Sequence, residues 1–183
     1  MVTATNSESY ELLPFEDASL ALTRTAWVAD AMKGLAFITE VERLLEWGDS
    51  HRVAVENDSC AFGIFKAGKK SPALGICEVV ISRKSVRSKW VKMLRLHLSP
   101  AVDAKLQAGD PDDAMNVFMS SIQGAVGLQS THKANTLKVF GRTNEQLAFL
   151  KVLVTHLQPV LAKRAQNRVK VSIEGRFLSI VIP

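Results

Sequence analysis

Residues Trp90–Pro100 read WVKMLRLHLSP, and this stretch decides the fold. Apolar and polar side chains alternate along it: Leu94, Leu96 and Leu98 are separated by Arg95, His97 and Ser99. A period of two residues is typical of a β-strand with one apolar and one polar face. We therefore predict a strand near the centre of a sheet, ending at Ser99-Pro100. Its polar face is the first place to expect part of an active site.

A β-hairpin is predicted just before this strand. Cys60–Phe65 and Leu74–Ile81 are strand-like apolar runs, and the stretch between them is rich in charge and turn residues, which favours an antiparallel joining. The second run is apolar on both faces, so we predict that it lies inside the sheet. Farther upstream, the pattern predicts a short edge strand, two amphipathic helices and a short strand. These span Tyr10–Phe15, Glu16–Met32, Phe37–Trp47 and Arg52–Glu56.

Two helices and three strands are predicted after the central strand. Asp110 can cap the first helix, and Pro111 suits its first position. Thr143 and Gln146 form a capping-box pattern for the second helix, which Pro159 should end or kink. The buried stripe of the first helix is predicted to be Met115, Phe118, Ile122, Ala125 and Val126. The three strands are Thr136–Phe140, Val169–Ile173 and Phe177–Ile182, the last of them at a sheet edge.

This order of elements predicts one mixed α/β domain of the α+β type over residues 10–183, and residues 1–9 are predicted as a disordered tail. The domain has a single, mainly antiparallel central sheet with helices on both faces. A chain of 183 residues can bury a core without staples. No apolar run approaches the roughly 20 residues that span a bilayer, and the N-terminus does not read as a secretory signal. We therefore expect a cytoplasmic protein that does not enter a membrane.

The charge pattern favours an anionic partner. The net charge is +5 and the isoelectric point is near 9.4, which suits nucleic acid, an acidic protein surface or a phosphorylated ligand. The densest basic stretch, with an aromatic ring that could stack on a base, consists of Arg83, Lys84, Arg87, Lys89, Trp90 and Lys92. The alternative interpretation is that the charge serves solubility alone.

The cysteines and histidines predict no metal site. Cys60 and Cys77 lie in apolar strand-like runs, so we expect reduced core residues. The four histidines are scattered, without carboxylates or cysteines at ligand spacing.

From Tyr10 to Val181, the predicted order of elements resembles the GNAT acyltransferases, which transfer an acyl group from acyl-coenzyme A to an amine. The local matches are the hairpin Phe62–Val80, the strand Met93–Leu98 and the strand Leu137–Gly141 that enters a helix. The resemblance implies acetyl-coenzyme A as cofactor, and its predicted contacts are Leu96, His97, Leu98 and Asn144.

Two residues are candidates for the chemistry that this resemblance implies. Glu78 is the candidate base that deprotonates the amine, and His156 could serve as acid or base. The structural alternatives are a salt bridge for Glu78, a partly exposed helical position for His156 and a helix cap for Asn144.

The sequence departs from the GNAT pattern at two points. The family motif Gln/Arg-x-x-Gly-x-Gly/Ala, whose backbone amides hold the pyrophosphate, is absent between Leu98 and Met115. Asp110, Asp112 and Asp113 stand where we expect the phosphates, and carboxylates repel them. The tyrosine that many members carry after the fifth strand is also missing, since Tyr10 is the only tyrosine. The coenzyme A loop is therefore degenerate or absent.

Two functions remain open. The protein is either an atypical acyl-coenzyme A-dependent N-acyltransferase with an unidentified acyl acceptor, or a noncatalytic GNAT-like protein whose basic surface binds nucleic acid or an acidic protein. Homodimerisation through Phe177–Ile182 is a further hypothesis, because an apolar strand at a sheet edge can pair with a second copy.

Overall fold

The computed structural model describes residues 10–53, 58–66, 71–82, 89–164 and 169–181. Seven strands are present in this part of the chain: β1 (Tyr10–Pro14), β2 (Ser59–Lys66), β3 (Gly75–Ile81), β4 (Trp90–Leu98), β5 (Thr136–Phe140), β6 (Lys170–Glu174) and β7 (Phe177–Val181). The helices are α1 (Asp17–Met32), α2 (Ile38–Ser50), α3 (Pro100–Gln107), α4 (Asp112–Thr131) and α5 (Asn144–Arg164). The predicted tail, residues 1–9, lies outside the described residues.

All seven strands form one open sheet in the order β1-β2-β3-β4-β5-β7-β6. Every neighbouring pair is antiparallel except β4 and β5, which are parallel. The predicted class, a mixed and mainly antiparallel sheet, is therefore confirmed. Three further predictions are confirmed: β2 and β3 form a hairpin, β3 lies inside the sheet, and β4 lies at its centre.

Helices cover both faces of the sheet, but only one face is covered along its whole width. On the first face, α4 and α5 pack over all the strands from β2 to β7, with Val117, Ile122 and Leu150 buried against them. On the second face, α1 and α2 cover β2 and β3, and Trp27 is anchored there by a 2.8 Å hydrogen bond from Nε1 to the Ala73 carbonyl. Trp27 is 2% exposed and is therefore part of the core.

Strand β4 contains an irregularity that changes which of its side chains lie on the second face of the sheet. Arg95 pairs with Glu78 and Met93 pairs with Val79, so Leu94 is an extra residue in β4. This β-bulge shifts by one residue the alternation of β4 side chains between the two faces of the sheet. Residues Arg95 and His97 consequently share a face with Glu78.

The structure corrects four details of the expected elements. Ser99-Pro100 follows the end of β4, as predicted, but it also begins helix α3, which was not predicted. Pro159 does not end α5, which continues to Arg164. In α4 the predicted buried positions Met115 and Val126 are 40% and 39% exposed, because the helix turns Ala114, Val117 and Gln129 inward instead. Residues 52 and 53 are not in a strand, and the rest of the strand predicted at Arg52–Glu56 lies outside the described residues.

Strand β7 is not at an edge. It lies between β5 and β6, and the edges of the described sheet are β1 and β6. The expectation that Phe177–Ile182 offers a free edge to a second copy is therefore wrong, since both sides of β7 already have strand partners.

Among the described residues, no helix is long and apolar enough to cross a membrane.

Candidate functional site

A cleft opens where the two parallel strands separate. The pairing of β4 with β5 covers only Trp90–Met93 opposite Thr136–Val139. Beyond this point β4 continues to Leu98 while β5 ends at Phe140. The resulting cleft has a volume of about 1000 Å³ and lies beside α1, α2 and α3.

Along the cleft, the edge of β4 opposite β3 has no strand partner among the described residues. The Ser99 amide donates a 2.9 Å hydrogen bond to the Leu74 carbonyl, which fixes the direction of the alternating backbone groups. In an antiparallel pair, alternate residues turn their amide and carbonyl groups toward the partner strand. The amide and carbonyl groups of His97 and Ser99 therefore point toward β3. Those of Leu96 and Leu98 point toward the cleft. No strand of the described residues pairs with this edge of β4.

Glu78 reaches the cleft from β3 and is held by two neighbours. Its Oε1 accepts a 2.6 Å hydrogen bond from Ser59 Oγ, and its Oε2 lies 3.3 Å from Arg95 Nε. The Glu78 side chain is 13% exposed, whereas that of Arg95 is 57% exposed. The ion pair named as a structural alternative for Glu78 is therefore present, on the face that lines the cleft.

His97 lies on the same sheet face as Glu78, because its partner Ile76 is two residues before Glu78 in β3. Burial lowers the pKa of His97 below its ordinary value, and the nearby Arg142 and Arg95 lower it further, while Glu78 opposes this shift. The same environment favours the neutral imidazole, which can accept a proton.

The far wall of the cleft is the segment between β5 and α5. The Gln146 amide donates to Thr143 Oγ1 at 3.2 Å, and the Thr143 amide donates back to Gln146 Oε1 at 3.4 Å. This confirms the predicted capping box. The exposed Arg142 precedes it and also lines the cleft.

The start of α3 offers little to a phosphate. Pro100 has no amide hydrogen, Ser99 Oγ accepts from the Val102 amide at 3.3 Å, and the Asp103 amide donates to the Ser99 carbonyl at 2.9 Å. Among the described contacts, Ala101 alone keeps a first-turn amide without a partner. Asp103 also places a carboxylate at this end of the cleft.

The acidic run predicted to stand at the phosphate position lies elsewhere. Asp113 accepts hydrogen bonds from Tyr10 Oη at 3.3 Å and from Lys105 Nζ at 2.7 Å, beside the edge strand β1. The helix that directly follows β4 is α3 rather than α4. The absence of a phosphate cradle thus follows from the start of α3, and not from Asp110, Asp112 and Asp113.

The structure brings together four of the predicted site residues, which are Glu78, Leu96, His97 and Leu98. Asn144 lies close by at the start of α5, where its Oδ1 accepts from Arg176 Nη1 at 3.4 Å. His156 lies about 18 Å farther along the helix axis, and its side chain is outside the described part of the chain.

Sequence reasoning missed several cleft residues. They are Glu40, Arg43 and Trp47 on α2, Asp103 on α3, and Arg142 after β5. For Arg142 a signal existed, because it follows the carboxyl end of a parallel strand, where ligand sites in such sheets gather. For the α2 residues no local signal existed, since only the packing of α2 on the sheet brings them to the cleft.

Part of the predicted basic surface lies on the uncovered half of the second sheet face. Lys92 Nζ stands 4.3 Å from the centre of the Trp90 ring. These two residues border a groove of about 360 Å³ with Lys138 and Glu174, which form a 2.8 Å ion pair. Lys89 is half-buried just before β4, and Arg83, Lys84 and Arg87 lie outside the described residues.

The described residues contain no group of three or more histidine, cysteine or carboxylate side chains that could hold a metal ion. No protein-family model matches the chain, and no curated protein matches it in sequence.

Proposed function

We propose that the cleft is the site of acyl transfer from an acyl thioester to an amine, on a GNAT-like scaffold. The observation that carries the proposal is the divergence of β4 and β5, which leaves the main chain of Leu96 and Leu98 facing a cleft that also contains His97 and Glu78. The strand order and the single parallel pair support the resemblance to the GNAT family.

The donor binds by its extended arm. Two amide groups in a pantetheine chain can pair with the backbone groups of Leu96 and Leu98, as an added strand does at a sheet edge. The ADP part of coenzyme A gains little at the start of α3, where one amide is free and Asp103 is close. We therefore expect acetyl-coenzyme A to bind weakly, and S-acetylpantetheine to bind nearly as well.

His97 is the proposed base. The amine nitrogen attacks the thioester carbonyl carbon, the C–N bond forms, and the C–S bond breaks when the tetrahedral intermediate collapses. The neutral imidazole accepts the proton that the amine loses, and water protonates the departing thiolate. Glu78 suits this role less well, because Ser59 and Arg95 already occupy its oxygens.

The test is the rate of thiol release from acetyl-coenzyme A, measured with a panel of primary amines. His97→Gln is expected to lower the rate about 100-fold, within the range for loss of a general base, while cofactor binding is retained. Lys138→Ala, which lies outside the cleft, is the matched control. Absence of amine-dependent thiol release from the wild-type protein would sink the catalytic proposal.

A second candidate is noncatalytic binding of a nucleic acid by the uncovered sheet face. It is favoured by the pairing of Trp90 with Lys92 on a face that α1 and α2 leave open. A labelled single-stranded oligonucleotide would then bind with an affinity that falls as salt rises. Lys92→Ala should weaken that binding and the exposed Lys33→Ala should not, and equal effects of both changes would argue against this candidate.

A further inference from the structure

Arg176 connects the turn between β6 and β7 to the wall of the cleft. Its Nε donates to the Gly141 carbonyl at 2.8 Å, and its Nη2 donates to the Arg142 carbonyl at 2.8 Å. Its Nη1 lies 3.4 Å from Asn144 Oδ1. The Arg176 carbonyl in turn accepts a 2.8 Å hydrogen bond from the Gly141 amide. One residue thus makes four hydrogen bonds to the segment 141–144.

Together with Gln146 and Leu147, these bonds pair the backbone amides and carbonyls of residues 141–143. The amides of Arg142 and Thr143 both donate to Gln146 Oε1, at 3.0 and 3.4 Å. The carbonyls of Gly141 and Arg142 have Arg176 as their partner. A backbone group left without a partner is costly when it is buried, and Gly141 is buried.

Close packing leaves segment 141–144 little room to take another conformation. A Cβ at Gly141 would lie 3.0 Å from Leu147 Cα and 3.1 Å from its amide nitrogen, so the chain passes very close to the first turn of α5. A guanidinium suits this place because its planar fork can serve adjacent carbonyls together, which a lysine ammonium on a flexible stem does less well.

We propose that Arg176 is a positioning residue, which holds segment 141–144 so that Arg142 and Gln146 form the cleft wall opposite β4. Arg176 is not among the residues that line the cleft and acts on it through Arg142. Its effect on acyl transfer rests on the proposed function above. Its effect on the position of segment 141–144 is independent of the proposed function.

The first test is amide hydrogen exchange in Arg176→Ala and Arg176→Lys. In Arg176→Ala, exchange at Arg142, Thr143 and Gln146 is expected to accelerate at least about 10-fold, because hydrogen bonds that hold the segment are lost, and Arg176→Lys should recover part of the protection. Lys138→Ala is the matched control, because it removes a bond to Glu174 of the same hairpin without touching the segment. Unchanged protection in Arg176→Ala, with the fold intact, overturns the proposal.

The second test measures the pKa of His97 by NMR titration. Arg142 and Arg95 lower the pKa of His97 and Glu78 raises it. The other charged groups that line the cleft are Glu40, Arg43, Asp103 and Glu145. Release of the segment lets Arg142 move away and admits water, so the pKa of His97 should rise toward its ordinary value in Arg176→Ala. It should not change in Lys138→Ala, and a His97 pKa equal to that of the wild type in Arg176→Ala counts against the proposal.

The third test separates the two proposals. If the wild-type protein transfers an acyl group, Arg176→Ala should raise the KM for acetyl-coenzyme A about 10-fold, because a misplaced wall weakens the bound geometry, and Arg176→Lys should restore part of it. An unchanged KM would contradict the catalytic part of the inference. If the wild-type protein binds no acetyl-coenzyme A, the proposed function fails, and exchange and titration alone decide the role of Arg176.

Discussion

Gln129 is a buried residue whose side-chain amide has no hydrogen-bond partner among the described residues. It lies on the inward face of α4 at 1% exposure, and both Nε2 and Oε1 are unpaired. An unpaired buried polar group costs about 1–3 kcal/mol. Gln129→Met is therefore expected to raise the free energy of unfolding by about 1–3 kcal/mol, measured by urea denaturation.

The matched control for this change is Gln123→Met, at an exposed position of the same helix. We expect its effect to stay within about 0.5 kcal/mol. Equal effects of the two substitutions would show that helix propensity, and not the unpaired amide, accounts for the change.

His97 should make the stability of the fold depend on pH. Its pKa is lower in the folded protein than the ordinary value, chiefly through burial and then through Arg142 and Arg95. The unfolded chain therefore binds the proton more readily. The contribution to stability is complete above the unfolded pKa, about 6.5, and is lost as the pH falls below it.

Urea denaturation between pH 7.5 and pH 5 checks this expectation. His97→Gln should reduce the loss of stability toward pH 5, whereas the wild-type slope should persist in His132→Gln, where His97 is intact. A slope that is the same in His97→Gln as in the wild type would show that His97 titrates alike in the folded and unfolded chains.

At the scale of elements, α4 lies very close to β1 at Gly124. A Cβ at this position would overlap Leu12 Cβ, whereas a Cβ at Gly127 would meet no atom of the described residues within 4 Å. Replacing glycine by alanine inside a helix normally stabilises it by about 1 kcal/mol. Gly127→Ala should do so, while Gly124→Ala should lower the melting temperature because α4 must move away from β1. Thermal unfolding of the two variants gives the comparison, and stabilisation by both would contradict the close packing.

Most of the elements could be predicted from periodicity, because their apolar residues recur with the period of a strand or a helix. Helix α3 was missed because it has only eight residues and a weak apolar stripe. Its signal was Ser99-Pro100, a capping residue followed by a proline suited to the first helical position. Of the two effects expected of Pro159, an end of α5 is wrong, because packing of the helix on the sheet overrides the local preference.

At the scale of the whole molecule, the candidate site could be predicted in part. Glu78 was singled out as a carboxylate on the inner strand of the predicted hairpin, and His97 as a polar side chain in the alternation of β4, so both follow from local patterns. Arg142 and Arg176 come from segments about 45 and 79 residues after His97, and only the order of strands in the finished sheet brings them near it. For Arg142 the one signal was its place after the carboxyl end of a parallel strand, and no local pattern predicts that Arg176 contacts it.

The same topology explains why the sheet has two different halves on its second face. Helices α1 and α2 precede β2 in the chain and cover β2 and β3. Within the part of the chain that the structure describes, the half formed by β5, β7 and β6 is covered by helices only on the opposite face, where α5 packs. The cleft lies at the boundary between these halves, where β4 and β5 separate.

The central claim is that the unpaired edge of β4 holds the arm of an acyl thioester. The most direct measurement is a titration of ¹⁵N-labelled protein with acetyl-coenzyme A, with S-acetylpantetheine in parallel. Both ligands should shift the amide signals of Leu96 and Leu98, together with those of Arg142 and Gln146, and should leave Lys138 on the uncovered face unchanged. No shift at millimolar ligand, or shifts confined to the face around Trp90 and Lys138, would contradict the claim.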